Sequence, residues 1–245
     1  MENAQLIGLS RQIALTRQMD VVANNLANIN TTGFKAQSIL FEEYVNPVAR
    51  DEGFRRGDQE LSFTQDWATV PYMAPGAIVQ TGNLLDLALN GDGFFVVDTP
   101  NGERWTRSGA FQIDGDGTLV DLAGNPVLSD GGPVGFEPGE TEFTIADNGA
   151  ILTPTGSKGQ LRLVEFDDPN VLAREGDNLF SGGEPQPATE TRVIQGAVER
   201  SNVSGVTEMA EMIRVSRAYQ TLAGIMQRQD DLRRSAIQRL GDMSA

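Results

Sequence analysis

The chain has 245 residues, 39% of them hydrophobic, with 34 acidic against 19 basic side chains, a net charge of −15, and neither His nor Cys. Without those two residue types there is no serine–histidine triad, thiol nucleophile, disulfide or ordinary zinc site, and so strong an acidic balance opposes binding to nucleic acid or anionic lipid. No run approaches the roughly 18–20 apolar residues of a membrane span, and the first residues lack the basic-then-apolar pattern of a secretory signal, so neither membrane insertion nor a cleavable signal peptide is expected.

All 11 prolines lie between Pro47 and Pro187. Both ends are therefore free of the residue that costs a helix interior about 3 kcal/mol. In the first segment, residues 1–33, Leu15, Met19, Val22, Leu26 and Ile29 alternate steps of four and three, the seam of a coiled coil. Leu6, Leu9 and Ile13 form a second stripe that continues into Thr16, Ala23 and Ala27. The predicted helix thus has two usable faces. Asn28, Asn30, Thr31 and Thr32 lower helix propensity, and Gly33 can take the left-handed conformation that ends a helix.

Residues 34–80 mix Phe41, Tyr44, Phe54, Phe63, Trp67 and Tyr72 with glycines and acids, and are expected to form an extended connector. Residues 81–185 read as a β-rich domain. Leu84–Asn90 and Phe94–Asp98 flank Gly91-Asp92-Gly93 as an expected hairpin, and Asn101-Gly102, Gly115-Asp116-Gly117 and Asn148-Gly149 mark further hairpins. Gln160–Phe166 is expected to be one strand with Leu161 and Leu163 on one face. Residues 186–203 are expected to be a return connector.

The last segment, residues 204–245, repeats the helical pattern. Met212, Val215, Tyr219, Leu222 and Met226 step by three and four, and Ala236 and Leu240 share the seam. Ser204 suits the N-cap; Glu208 and Glu211 favour the positive end of the helix dipole, and Arg228, Arg233, Arg234 and Arg239 the negative end. The expected fold is α+β: paired N- and C-terminal helices, coiled-coil-like, around an inserted, mainly antiparallel β-rich domain. Residues 1–35 and 201–245 each carry +1, and the residues between them −17.

The candidate catalytic and metal motifs fail on spacing. Asp114-Gly115-Asp116-Gly117 begins like a calcium loop, but Thr118, Leu119 and Asn125 stand where an oxygen ligand, a glycine and a glutamate are needed. Gly91-Asp92-Gly93 lacks the third glycine and helix of a dinucleotide site. Asp167-Asp168 and Glu42-Glu43 are neighbours of the kind 34 acids produce by chance. No catalytic, cofactor-binding or metal residue is assigned, no cofactor is expected, and the chain is read as a non-enzyme.

Residues 23–35, Ala-Asn-Asn-Leu-Ala-Asn-Ile-Asn-Thr-Thr-Gly-Phe-Lys, closely resemble the N-terminal signature of the bacterial flagellar rod and hook family, carried on Asn24, Asn25, Leu26, Ala27, Asn28, Asn30, Thr31, Thr32, Gly33 and Phe34. A second family-like block runs from Thr81 to Phe95 and from Trp105 to Phe111. A third is Glu199-Arg200-Ser201-Asn202-Val203, followed by Val206, Glu208-Met209, Met212-Ile213 and Arg217-Ala218-Tyr219-Gln220. The opening Met1-Glu2-Asn3-Ala4 and Leu40-Phe41-Glu42-Glu43-Tyr44 look most like proximal rod members, with distal rod members as close rivals.

The resemblance implies a structural subunit of the flagellar basal-body rod in the periplasm. It implies export through the flagellar type III apparatus and assembly with copies of itself and other rod proteins. It also implies a tube of terminal helices that lines the export channel and transmits torque. The two seams, Leu15, Met19, Val22, Leu26 and Ile29 with Met212, Val215, Tyr219, Leu222 and Met226, are the expected assembly interface. Seam burial alone does not offset the entropy of ordering two long helices, so the ends are expected to order on assembly. The alternatives are a distal rod or hook-type axial subunit and, more remotely, a secreted carboxylate-dependent enzyme or a glycan-binding β domain.

Overall fold

The structure is a computed structural model, and it describes residues 2–46, 61–137, 140 and 142–242. The chain divides into two units. One comprises Met1–Leu26, Gln37–Val70 and Ser204–Ala245; the other comprises Ala27–Ala36 and Pro71–Val203.

The first unit holds helix α1 (Glu2–Ala27), strands β1 (Gln37–Asn46) and β2 (Leu61–Pro71), which pair with each other, and helix α2 (Gly205–Asp242). α1 stops at Ala27, short of residue 33, because Asn28 closes a turn: its carbonyl accepts from the Thr31 amide at 3.1 Å and its side-chain oxygen from the Thr31 hydroxyl at 3.1 Å. At the start of α2 the Ser204 carbonyl accepts the Glu208 amide at 2.9 Å, placing Ser204 at the expected cap position. The helices run antiparallel. A side chain at Gly8 would meet Met226 Sδ at 3.2 Å, and Gln18 Nε2 donates to Glu211 Oε1 at 2.8 Å.

Part of the expected connector 34–80 is thus the paired strands β1 and β2. The sequence of β2 alternates Leu61, Phe63, Gln65, Trp67 with Ser62, Thr64, Asp66, Ala68, the two-residue period of a strand. The side chains of Phe41, Glu42, Glu43, Tyr44, Phe54, Phe63, Trp67 and Leu240 lie outside the described residues.

The second unit is built on a six-stranded antiparallel sheet in the order Ala173–Arg174, Leu179–Ser181, β6 (Gly102–Thr106), β5 (Phe94–Thr99), Leu163–Glu165, Gln186–Pro187. β5 is buried on both faces, which explains its unbroken apolar run. Phe95 and Val97 enter a core with Leu87, Phe111, Val127, Ile151 and Leu161, while Phe94 and Val96 enter another with Trp105, Val164 and Phe180. The β-rich expectation holds, and the turns at Asn101-Gly102, Gly115-Asp116-Gly117 and Asn148-Gly149 close local pairs.

Three expectations are corrected. Gly91-Asp92-Gly93 is not a hairpin: β4 (Leu87–Asn90) pairs with Arg192–Gln195, whereas β5 belongs to the large sheet. The segment Gln160–Phe166 is not one strand; it breaks at Leu161, which bridges to Ser129, before Leu163–Glu165 pairs with β5. Residues 186–203 are not a plain connector, since Arg192–Gln195 and Ala197–Glu199 pair with β4 and with β3 (Ile78–Gln80), burying Val193 and Ala197. Each miss involves a partner about 30 to 120 residues away in the sequence.

Candidate assembly interface

The terminal helices place the predicted seams on their less exposed sides. Val22 and Val215 are buried, at 5% and 0% exposure. Leu15, Met19, Leu26, Met212, Tyr219, Leu222 and Met226 are half-buried. Ile29 is half-buried as well, but it lies beyond the end of α1, in the turn that belongs to the β unit. Beside the seam, Arg214 holds Glu211 by a charge-assisted pair, and this lowers the Glu211 carboxyl below its ordinary range.

Outside the seams, large apolar side chains face solvent. On α1 these are Leu6, Leu9 and Ile13, the last 55% exposed; on α2 they are Val206, Met209, Ile213, Ile225 and Leu232, with Val206 at 78% and Ile213 at 54%. Thr16, Ala23 and Ala27 continue the α1 stripe and are exposed too. The α2 stripe is legible in the sequence as the three-and-four spacing of Val206, Met209 and Ile213. Among the described residues, no helix is long and apolar enough to cross a membrane.

The family motif has a different task on each side of the unit boundary. Asn25 is buried and pairs twice with Gln37: its Nδ2 donates to the Gln37 carbonyl at 2.9 Å and its Oδ1 accepts the Gln37 amide at 2.8 Å. An amide side chain here replaces a strand neighbour at the start of β1. Asn24, Ala27 and Asn30 are exposed, while Thr31 and Thr32 are half-buried, the Thr32 carbonyl accepting from Asn178 Nδ2 at 2.9 Å. Gly33 takes φ +65°, and a Cβ there would lie 2.3 Å from the Arg107 carbonyl carbon, so the left-handed glycine serves a close backbone approach rather than a helix cap. Phe34 is fully buried beneath the Arg174 guanidinium, 3.9 Å from its ring centroid.

Next to Phe34 a group of buried charges closes. Lys35 Nζ lies 2.6 Å from Glu199 Oε1 and donates to the Ala74 carbonyl at 3.0 Å. The same Glu199 oxygen accepts the Gly76 amide at 2.7 Å, and Arg107 Nη1 stands 3.5 Å from Glu199 Oε2. Arg107 also lies over the Phe94 ring, 4.9 Å from its centroid, with Asp92 Oδ1 at 4.0 Å from Nη2. Burial pushes the Lys35 ammonium below its ordinary value despite the attraction of Glu199, and does the same to Arg107.

Asn202 stitches the adjacent backbones. Its Oδ1 accepts the Ala36 amide at 2.7 Å and its Nδ2 donates to the Tyr72 and Ala74 carbonyls, each at 2.8 Å. Lys35, Arg107, Glu199 and Asn202 come from the three family-like blocks, one of them from the first, one from the second and two from the third. Sequence reasoning gave none of the four a role.

Three of the carboxylates considered for chemistry, Asp114, Asp167 and Asp168, are occupied by the fold. Asp114 Oδ1 accepts the Asp116 and Thr118 amides at 2.9 and 2.8 Å, holding the turn that resembled a calcium loop. Asp168 caps a short 3₁₀ helix at Pro169–Val171, and Asp167 accepts from Gln186 Nε2 at 2.9 Å.

Comparison with known proteins identifies this arrangement. Residues 6–35 match the family model for flagella basal body rod proteins, residues 88–153 that for the flagellar hook protein FlgE/F/G D1 domain, and residues 194–239 that for the C-terminal part of flagellar basal body rod FlgEFG proteins. The chain is 39% identical to the flagellar basal-body rod protein FlgF of Caulobacter vibrioides and 33% identical to that of Mesorhizobium japonicum, in both cases over the full length of both proteins. It is 29% identical to the flagellar basal-body rod protein FlgG of Bacillus subtilis, covering 92% of this chain and 94% of that one. The chain therefore belongs to the flagellar basal-body rod family, a family of structural subunits.

Proposed function

We propose that the chain is a proximal rod subunit which polymerises helically through its terminal helices, passes through the flagellar type III export apparatus, and transmits motor torque across the periplasm while its helices line the export channel. Its partners are copies of itself and other rod proteins, proximal and distal. One observation carries this reading: α1 and α2 pair, yet Leu6, Leu9, Ile13, Val206, Met209, Ile213, Ile225 and Leu232 stay exposed. An antiparallel pair with a buried seam and a second apolar stripe has more apolar surface than it can cover itself, and further copies of the same helices are its natural cover.

Charge supports the same division of labour. The helical ends are almost neutral while the middle of the chain carries nearly all the negative charge, so close packing between copies is least opposed at the helices. The full-length match to proteins named FlgF favours the proximal over the distal position. The test is deletion of the gene and complementation with it. Deletion should leave cells without hooks or filaments and non-motile, and the intact gene should restore both; swimming of a clean deletion strain that holds no second copy would refute the reading.

A further inference from the structure

The chain passes between its two units four times, at 26/27, 36/37, 70/71 and 203/204. Along the chain, a force on the terminal helices reaches the β unit at the residues beside those points. Lys35 and Ala36 adjoin the second crossing, Tyr72 and Ala74 follow the third, and Asn202 precedes the fourth; Lys35 is held by Glu199, and Ala36, Tyr72 and Ala74 by Asn202. The segment that follows the first crossing ends in the same place, where the Gly33 amide donates to the Glu199 carbonyl at 2.7 Å. The backbones there leave no slack, since a Cβ at Gly76 would stand 1.9 Å from the Arg200 carbonyl oxygen.

Stability alone does not call for charges in such a place. Apolar residues of similar volume often replace a buried ion pair at no loss of stability, whereas removal of one partner is costly. What the charges add is direction. Apolar contacts are non-directional and tolerate sliding. Lys35, by contrast, sits between Glu199 Oε1 and the Ala74 carbonyl, both side chains almost fully buried, and a shift of about 1 Å breaks bonds between groups held away from solvent.

We infer that Lys35, Arg107 and Glu199 are positioning residues that pass torque from the terminal helices into the β unit by resisting shear between segments 33–36, 72–76 and 199–202. This role rests on the rod-subunit reading above.

The experiment replaces the cluster with apolar groups, Lys35→Met, Arg107→Met and Glu199→Leu together. It measures thermal unfolding of the purified protein, the number of hooks per complemented deletion cell, and rotation of tethered beads at low and high viscous load. The expected result is a folded protein and a normal hook count, with rotation retained at low load and lost at high load. Rotation like the wild type at every load overturns the proposal, because a purely structural cluster is fully replaced by a stable apolar one. Absence of hooks also overturns it, by moving the role from torque to assembly. Should the triple variant fail to fold, Glu199→Gln takes its place: it keeps acceptors for Lys35 and the Gly76 amide but removes the charge facing Arg107. The same loss under high load is expected; rotation like the wild type, absent hooks or failure to fold overturns the proposal. Failure of the wild-type gene to restore hooks is a separate outcome, which sinks the subunit reading itself.

Discussion

Lys35 and Glu199 stand 164 positions apart in the chain and 2.6 Å apart in the structure, both almost completely buried. One buried anion serves two buried cations there, so its loss leaves the ammonium without its carboxylate and the guanidinium with the exposed Asp92 at 4.0 Å. Glu199→Ala is expected to destabilise the β unit by about 3–5 kcal/mol, as removal of one member of a buried ion pair does. Denaturant unfolding of the purified protein measures this, and a loss under about 1 kcal/mol would mean that the cations find other partners on relaxation.

Two glycines of positive φ separate backbone strain from collision. Gly33 and Gly82 both have positive φ, at +65° and +77°, but a Cβ at Gly33 meets the Arg107 backbone at 2.3 Å, while one at Gly82 meets nothing within 4 Å. Gly82→Ala should cost only the left-handed penalty of about 1–2 kcal/mol. Gly33→Ala should cost distinctly more, because the segments 33–35 and 106–108 must part. Equal melting temperatures for the two variants would show that the close approach at Gly33 is dispensable.

A pH effect is expected at the opposite side of the charge ledger, among surface groups. Hydrogen bonds from the Thr155 hydroxyl and the Glu137 amide, with Lys158 close by, lower the Glu140 carboxyl from 4.5 to about 2. A depressed carboxylate contributes stability above its unfolded value, and that contribution is lost as pH falls through the folded one. The gap in melting temperature between the wild type and Glu140→Gln should therefore be present above pH 4.5 and close as pH falls towards about 2. An NMR titration of Glu140 with a midpoint near 4.5 would contradict this.

Local periodicity was the readable part of this chain. The seam Leu15, Met19, Val22, Leu26 depends on one helix alone, so its spacing was visible in sequence, and the same holds for Met212 to Met226. The Asn148-Gly149 turn was legible for the same reason, since its hydrogen bonds close within five residues. Arg192–Gln195 was missed because its strand character depends on pairing with Leu87–Asn90, about a hundred residues earlier. The charge cluster was illegible on similar grounds: Lys35, Arg107 and Glu199 are ordinary charged residues until the fold buries them together. The N-terminal motif was recognised by its residues, but the tasks of Asn25 and Gly33 required knowing that Gln37 and Arg107 lie beside them.

Hydrogen exchange tests how much of the helical unit is ordered without partners. The β unit has two aromatic-rich cores closed by the six-stranded sheet, so amides of β5 and β6 should be strongly protected in the isolated subunit. Amides of residues 6–26 and 205–236 should exchange far faster, because the paired helices leave a second apolar stripe uncovered. Equal protection of helices and β5 in a verified monomer would show that the helices need no neighbours to be stable.

The last prediction separates the two faces of each helix. Val22 and Val215 are buried within the subunit, whereas Ile13 and Ile213 are more than half exposed. A carboxylate at a buried seam position must be desolvated or take up a proton, at several kcal/mol either way. Val215→Asp should therefore lower the helix content of the isolated subunit and, with it, assembly. Ile13→Asp and Ile213→Asp place the charge in water in the free subunit, so circular dichroism and melting temperature should match the wild type. On the proposed assembly the same positions face neighbouring copies, and there the desolvation cost returns. The exposed-face variants should consequently fold normally and still fail to restore hooks to a deletion strain. If they restore normal swimming, the outer stripe stays solvated in the rod and assembly runs through some other surface; if they unfold the isolated helices, the stripe was serving the subunit itself.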